Sequence, residues 1–166
     1  MRPAALLRGA PAVGLVTAFV VAGLDQASKL WLLRVLNLDR RPIVISPMLE
    51  LRLVWNPGIS YGLLQQSGWG RWILLGVSTA AIALLFVWLA RTASRFTALA
   101  LGLIIGGALG NAVDRLAYGK VADFVLIHVT PTFDWYVFNL ADAAIVAGVV
   151  GLLYESLIGH RAAKAP

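Results

Sequence analysis

Asp123 and Asp142 are the residues through which this sequence could most readily do chemistry. Asp142 lies three residues after Asn139, so the two share a helical face near the outer end of an apolar stretch, and Asp123 belongs to a short connection arriving at the same membrane face. Two carboxyl groups brought together at a partly desolvated boundary repel one another, and burial adds to the effect. One then holds its proton at neutral pH while the other is ionised. Such a pair suits amide hydrolysis. The ionised member takes a proton from water as it attacks the scissile carbonyl, and the protonated member hydrogen-bonds the developing oxyanion, with no nucleophilic side chain required. The plainer alternative is that the two acids cap loops separately or pair with Arg115 and Lys120.

Three further polar clusters lie in or beside apolar stretches. An ionised side chain at mid-bilayer costs about 2.5–3.5 kcal/mol even on a lenient insertion scale, so each cluster is a functional candidate. Asp25 and Lys29 stand four apart on one helical face, either as a structural ion pair or as substrate contacts. Asn56-Pro57-Gly58-Ile59-Ser60-Tyr61-Gly62 reads by itself as a turn. Gly102, Gly106 and Gly110 fall at four-residue steps that allow close helix approach, and Asn111 then shares a face with Asp114 and Arg115. Asn111 lies inside its apolar stretch and needs hydrogen-bond partners there.

The elements that must position these groups are membrane helices. The chain has 166 residues, of which 60% are apolar and 13% charged, and a mean hydropathy of +0.81, outside the range of ordinary soluble domains. Trp72 to Ala90 is uncharged over 19 residues, a reach of about 28 Å at 1.5 Å per residue. Phe96 to Val113 is a second such run, and Trp135 to Tyr154 a third, with Asp142 as its one acid. The run from Gly9 to Leu24 meets Asp25-Gln26-Ala27-Ser28-Lys29 and then resumes, so it reads as one interrupted helix; a cleaved signal peptide is the weaker alternative.

Helices are therefore expected at about 12–33, 71–90, 96–114 and 137–158, in one integral membrane domain spanning 1–166. The alternation Leu49-Glu50-Leu51-Arg52-Leu53 marks a strand, so a small extracytoplasmic β-sheet is expected over about 40–64, inserted between helices one and two of an otherwise all-α protein. Segments on the side of the termini hold six Lys or Arg in 26 residues against seven in 62 on the other, which favours cytoplasmic termini.

Composition also excludes much. With no cysteine there is no disulfide framework, cysteine nucleophile or thiolate zinc site. No His-Glu-x-x-His helix or Gly-x-Ser-x-Gly elbow is present, and neither His128 nor His160 has acid or nucleophile spacing around it. The net charge of +6 is scattered, without a basic run, so nucleic acid is not expected as a partner.

Taken in order, the clusters Asp25-Gln26-x-x-Lys29, Asn56-x-Gly58, Gly106-Gly107-x-x-Gly110-Asn111-x-x-Asp114-Arg115, Val121-x-Asp123-Phe124 and Phe138-Asn139-x-Ala141-Asp142 resemble lipoprotein signal peptidase, the bacterial signal peptidase II family. The resemblance implies an inner-membrane aspartic endopeptidase that needs no metal or cofactor. It would remove the signal peptide from diacylglyceryl-modified prolipoproteins, cutting just before the lipidated cysteine, and would be inhibited by globomycin-type lipopeptides. It implies that Asp123 and Asp142 are the catalytic pair. Asp25, Lys29, Asn56, Gly58, Gly110, Asn111, Asp114, Arg115, Asn139 and Ala141 then fall on positions that hold substrate or shape the site. The protein is taken as a monomer whose partners are its substrates and membrane lipid. Departures from the family pattern are Ile59, Tyr61, Ala122 and the absence of a proline in Tyr136-Val137, none of which removes an ionisable or amide group. A proton-coupled transporter using Asp25, Lys29 and Asp142 as relays and a non-catalytic membrane adaptor are the readings from other classes.

Overall fold

The computed structural model describes residues 9–58, 70–130 and 133–162. Ile59, Tyr61 and the end of the second polar cluster lie outside the described residues. Four helices are long and apolar enough to cross a membrane. Helix α1 (Ala10–Arg34) opens with proline in its first turn, where the missing N–H is not needed, and runs unbroken through Asp25 and Lys29. Helix α2 spans Gly70–Leu89. Helix α3 (Arg95–Tyr118) starts at Ser94, whose Oγ accepts from the Thr97 N–H at 3.1 Å, and stops at Gly119, whose φ of 73° is the left-handed conformation that glycine adopts freely. Helix α4 spans Leu140–Ala162.

Helix α3 is the centre of the bundle, with α1 and α4 packed along it and α2 resting against it more lightly. The glycine steps explain how it holds α1 so closely. A Cβ on Gly102 would lie 2.5 Å from the Gly14 carbonyl oxygen of α1, and one on Gly106 would lie 2.6 Å from that of Ala18. Gly107 points the other way, and its Cβ would strike the Ala141 carbonyl oxygen of α4. Between apolar helices in lipid, such backbone contact supplies the packing that the hydrophobic effect cannot.

The sheet differs from the expectation. Strands β1 (Ile43–Ser46) and β2 (Leu49–Asn56) do lie between α1 and α2, but β3 (Val121–Thr130) and β4 (Phe133–Asp134) come from between α3 and α4. The four pair antiparallel in the order β1-β2-β3-β4. Strand β3 gives no period-two signal because Val121 to Phe124 and Leu126 are all buried, so an apolar run replaces the alternation. Asp123 is therefore part of a ten-residue strand rather than a short connection. Helix α4 also begins later than the apolar run suggested. Residues 135–138 are extended along β3, with the Trp135 and Phe138 N–H groups donating to the carbonyls of Ile127 and Val125. The sheet rests on the end of α1 through Leu32, Leu38 and Phe124.

Candidate active site

Asp142 is set by the start of α4. The Asn139 Oδ1 accepts from the Asp142 N–H at 2.9 Å, and the Asp142 Oδ2 accepts from the Asn139 N–H at 3.2 Å, a reciprocal cap of two otherwise orphaned donors. The next donor in that turn, the Ala141 N–H, goes to Asp25 Oδ1 at 3.0 Å. An acid from α1 thus meets the positive end of α4, a favourable place for negative charge. Asp25 fits there because Gly110 has no side chain: a Cβ on Gly110 would strike the Asp25 carboxylate.

Asp123 is set by the sheet. Its partner across β2 is Val54, which brings Asn56 alongside, and the Asn56 Nδ2 donates to Asp123 Oδ2 at 3.1 Å. The Asn139 Nδ2 donates to Asp123 Oδ1 at 2.7 Å and to Asn111 Oδ1 at 3.1 Å, while the Asn111 Nδ2 donates to Asp142 Oδ1 at 2.9 Å. Four side chains therefore form one chain from acid to acid, each acid receiving an amide donor. Lys29 helps fix the direction of this chain, since its Nζ, 3.4 Å from Asn111 Oδ1, requires that atom to be the acceptor.

Lys29 itself lies between Asp25 Oδ2 at 2.7 Å and Asp114 Oδ2 at 2.8 Å, all three side chains buried. Asp114 also receives the Ala122 N–H at 3.1 Å, tying α3 to β3, and the Gln26 Nε2 at 2.8 Å. Arg115 donates through Nη2 to the Gly58 carbonyl at 3.2 Å, and the Gly58 N–H donates to Asn56 Oδ1 at 3.0 Å, so the turn after β2 is held over the site. Among the described residues every buried side-chain nitrogen and oxygen has a hydrogen-bond partner.

Asp123 and Asp142 face one cavity of about 330 Å³, together with Asn56, Asn111 and Arg115. Its apolar walls are Leu74 and Val77 of α2 and Ile145 and Val146 of α4, so it lies between two helices that pack little on each other. Asp123, 2% exposed, has its carboxyl pushed up to about 7. Burial is the main cause and the charge of Asp142 adds to it, against the hydrogen bonds from Asn56 and Asn139. Asp123 is thus the member of the pair suited to keep a proton near neutrality.

All twelve residues singled out in the sequence lie in this network or at its edge. Sequence reasoning missed Gln26 as a bridge from α1 to Asp114 and to the Gly110 carbonyl, although it stood within the first polar cluster. Tyr136, which lines the cavity, and Ser78 of α2 were missed as well; each is a polar group in or beside an apolar run. Lys120 lies over the Trp55 ring at 4.6 Å rather than on either acid. His128 does have acid partners, Asp134 at 2.6 Å and Glu50 at 3.4 Å, which the strand pairing brings to it and sequence spacing could not show. The hydrogen bond to Asp134 holds the imidazole above its ordinary value, against partial desolvation.

A match to the family described as signal peptidase (SPase) II runs over residues 17–158, taking in most of α1 and α4, all of α2 and α3 and the whole sheet. The chain belongs to the signal peptidase II family. Relatives at high identity carry the name lipoprotein signal peptidase. That of Nitrobacter hamburgensis is 54% identical over 158 residues, covering 92% of this chain and 96% of the relative. That of Methylorubrum extorquens is 56% identical over 146 residues, covering 87% and 85%. A bacterial membrane enzyme solved by the in meso method at 2.3 Å resolution shares the fold, with a TM-score of 0.79 at 23% identity, over 93% of this chain and 92% of that one. Membership of the family makes the protein a peptidase of bacterial membranes, and every polar cluster described above lies inside the matched region.

Proposed function

We propose that the protein is an aspartic endopeptidase that removes the signal peptide from diacylglyceryl-modified prolipoproteins, cutting on the N-terminal side of the lipidated cysteine. The single observation that carries this reading is the pair Asp123 and Asp142 on one cavity, coupled through Asn111 and Asn139. Asp142 takes a proton from water as the oxygen attacks the scissile carbonyl. Asp123, holding its proton, hydrogen-bonds the developing oxyanion, and the proton that Asp142 took from water passes to the leaving nitrogen as the C–N bond breaks, which restores the pair. The amide chain keeps both acids in place before substrate arrives, so little reorganisation accompanies the reaction. Arg115 and the Gly58 carbonyl stand ready to align the substrate backbone, and the Asp25, Lys29 and Asp114 triad anchors α1, α3 and the start of α4. The mechanism calls on no metal or cofactor.

The apolar signal segment enters between α2 and α4, where the cavity opens. On this reading the protein is a monomer in the inner membrane with cytoplasmic termini, and the sheet and site lie at the extracytoplasmic face. A globomycin-type lipopeptide would compete for the same cavity. The test is cleavage of a lipidated prolipoprotein by the purified protein and by Asp123→Asn and Asp142→Asn. Each variant is expected to fold and to lose cleavage; near wild-type rates in both would overturn the assignment.

A further inference from the structure

A second chamber, of about 340 Å³, lies against the first and shares Tyr136, Asp142 and Val146 with it. Its roof is the aromatic run Trp135, Tyr136 and Phe138, and its floor is Ala143 and Ala147 on the outward side of α4. The first chamber carries amides, acids and a guanidinium among its lining residues, whereas the second is mainly apolar, with Asp142 as the acid common to both. The aromatic rings form a continuous wall, with centroids 5.5 Å apart for Trp135 and Tyr136 and 6.1 Å for Tyr136 and Phe138. From Val146, which lines the chamber, Val150, Leu153 and Leu157 follow at four, three and four residues, each of the four more than half exposed, one apolar stripe along the outer face of the helix.

We infer that this chamber is the subsite for an acyl chain of the lipid-modified residue, and that the small side chains Ala143 and Ala147 set which chains fit. The inference rests on the reading that the substrate is lipidated. The reacting bond must lie at the Asp142 carboxyl, and a chain attached one residue away has to leave that point without crossing the amide-lined cavity that takes the peptide. The aromatic chamber begins at the same carboxyl and continues into the lipid-facing stripe, so a chain seated there lies in apolar surroundings along its length. Moving from lipid into this chamber brings no hydrophobic gain, because lipid is already apolar; selectivity comes from fit against the rings and the alanine floor.

Cleavage is compared on one peptide carrying either two long acyl chains or two acetyl groups, using wild type, Ala147→Val, Ala147→Phe and Val16→Phe. Filling the floor is expected to raise KM for the long-chain substrate about tenfold in Ala147→Phe, the scale of a misfit in an apolar pocket, with a smaller rise in Ala147→Val. The short-chain substrate should be unaffected, and Val16→Phe, which adds similar bulk on the exposed face of α1 away from the chamber, should behave as wild type. Equal losses on both substrates, or no change on either, would overturn the inference. In parallel, a substrate with a photoreactive group partway along its acyl chain is bound to Asp123→Asn. Labelling within residues 135–150 supports the subsite, and labelling confined to α2 or α1 refutes it whether or not the peptide is cleaved. Failure of the underlying peptidase reading shows separately, as wild-type protein that releases no peptide from either substrate.

Discussion

The bundle holds acids at both of its ends, and the two ends treat them differently. Where α3 begins and α4 is near its finish, the half-buried Glu155 accepts from the Ser94 Oγ at 2.6 Å and from the Thr97 Oγ1, so one carboxylate closes the first turn of α3 with neutral hydroxyls. Where α3 finishes and α4 begins, Asp25, Asp114, Asp123 and Asp142 converge with Lys29, Arg115 and the amides of Gln26, Asn56, Asn111 and Asn139, and Asp123 and Asp142 face a cavity. Both ends satisfy their polar groups. What separates them is a second acid facing the first across open space: Glu155 has donors around it and nothing to react with, whereas Asp123 and Asp142 have donors behind them and a cavity in front. A single acid among donors is a packing device; a coupled pair with access is the arrangement on which the proposed hydrolysis rests.

The sharpest break of that comparison is catalytic. Asp123→Asn should lower the cleavage rate at least about a thousandfold, while Glu155→Gln should leave it within about twofold, both read in a single-turnover assay. A comparable loss from Glu155→Gln would mean that the far end takes part. Next in size is Lys29→Met, which strands Asp25 and Asp114 without their shared cation; denaturation in detergent should show a loss of about 3–5 kcal/mol, the usual result of removing one member of a buried ion pair.

The third test is pH. The Asp123 carboxyl keeps its proton in the folded protein up to about 7, whereas its ordinary value is 3.8. Cleavage should therefore fall as pH rises through about 7 if Asp123 is the acid of the pair. The folded state binds more protons than the unfolded state between those values, so wild-type stability should decline with rising pH across that window. In Asp123→Asn the decline should flatten. A smaller effect is expected from Glu155→Gln on stability, about 1 kcal/mol, since the amide keeps one acceptor for two hydroxyl donors.

The smallest effect concerns β4. A charged His128 bridges Asp134 and Glu50, and because its value is raised this contribution is complete below its ordinary 6.5 and is lost as pH rises through the elevated value. Hydrogen exchange at the Trp135 amide, corrected for intrinsic rate, should become less protected over that rise in wild type and show no such change in His128→Gln.

The spans were legible because uncharged apolar runs long enough to cross a bilayer are rare outside one, and the polar residues inside them stood out for the same reason. Asn139 and Asp142 could be paired from their spacing alone. Asp123 could not be seated so firmly, because its place depends on β3 pairing with β2, and a strand buried on both faces loses the alternation that would have announced it. Residues 137–139 read as the start of a helix since an apolar run is silent about whether it is coiled or extended. The α2 wall of the cavity, Leu74 and Val77, carried no signal at all: a side chain that lines a site through shape looks like any other in an apolar span.

The glycine seam between α1 and α3 works as a ruler. Gly14 sits against Gly102, Ala18 against Gly106 and Asp25 against Gly110, successive notches along the two axes. Inserting one residue between Ala18 and Asp25 would turn everything beyond it by about 100° and advance it by about 1.5 Å. Asp25 would then swing away from its notch and from the start of α4, while the lower notches stayed engaged. Helix register along this seam and the seating of Asp25 against the start of α4, beside the proposed catalytic carboxyls, are thus the same dimension, cut once into backbone.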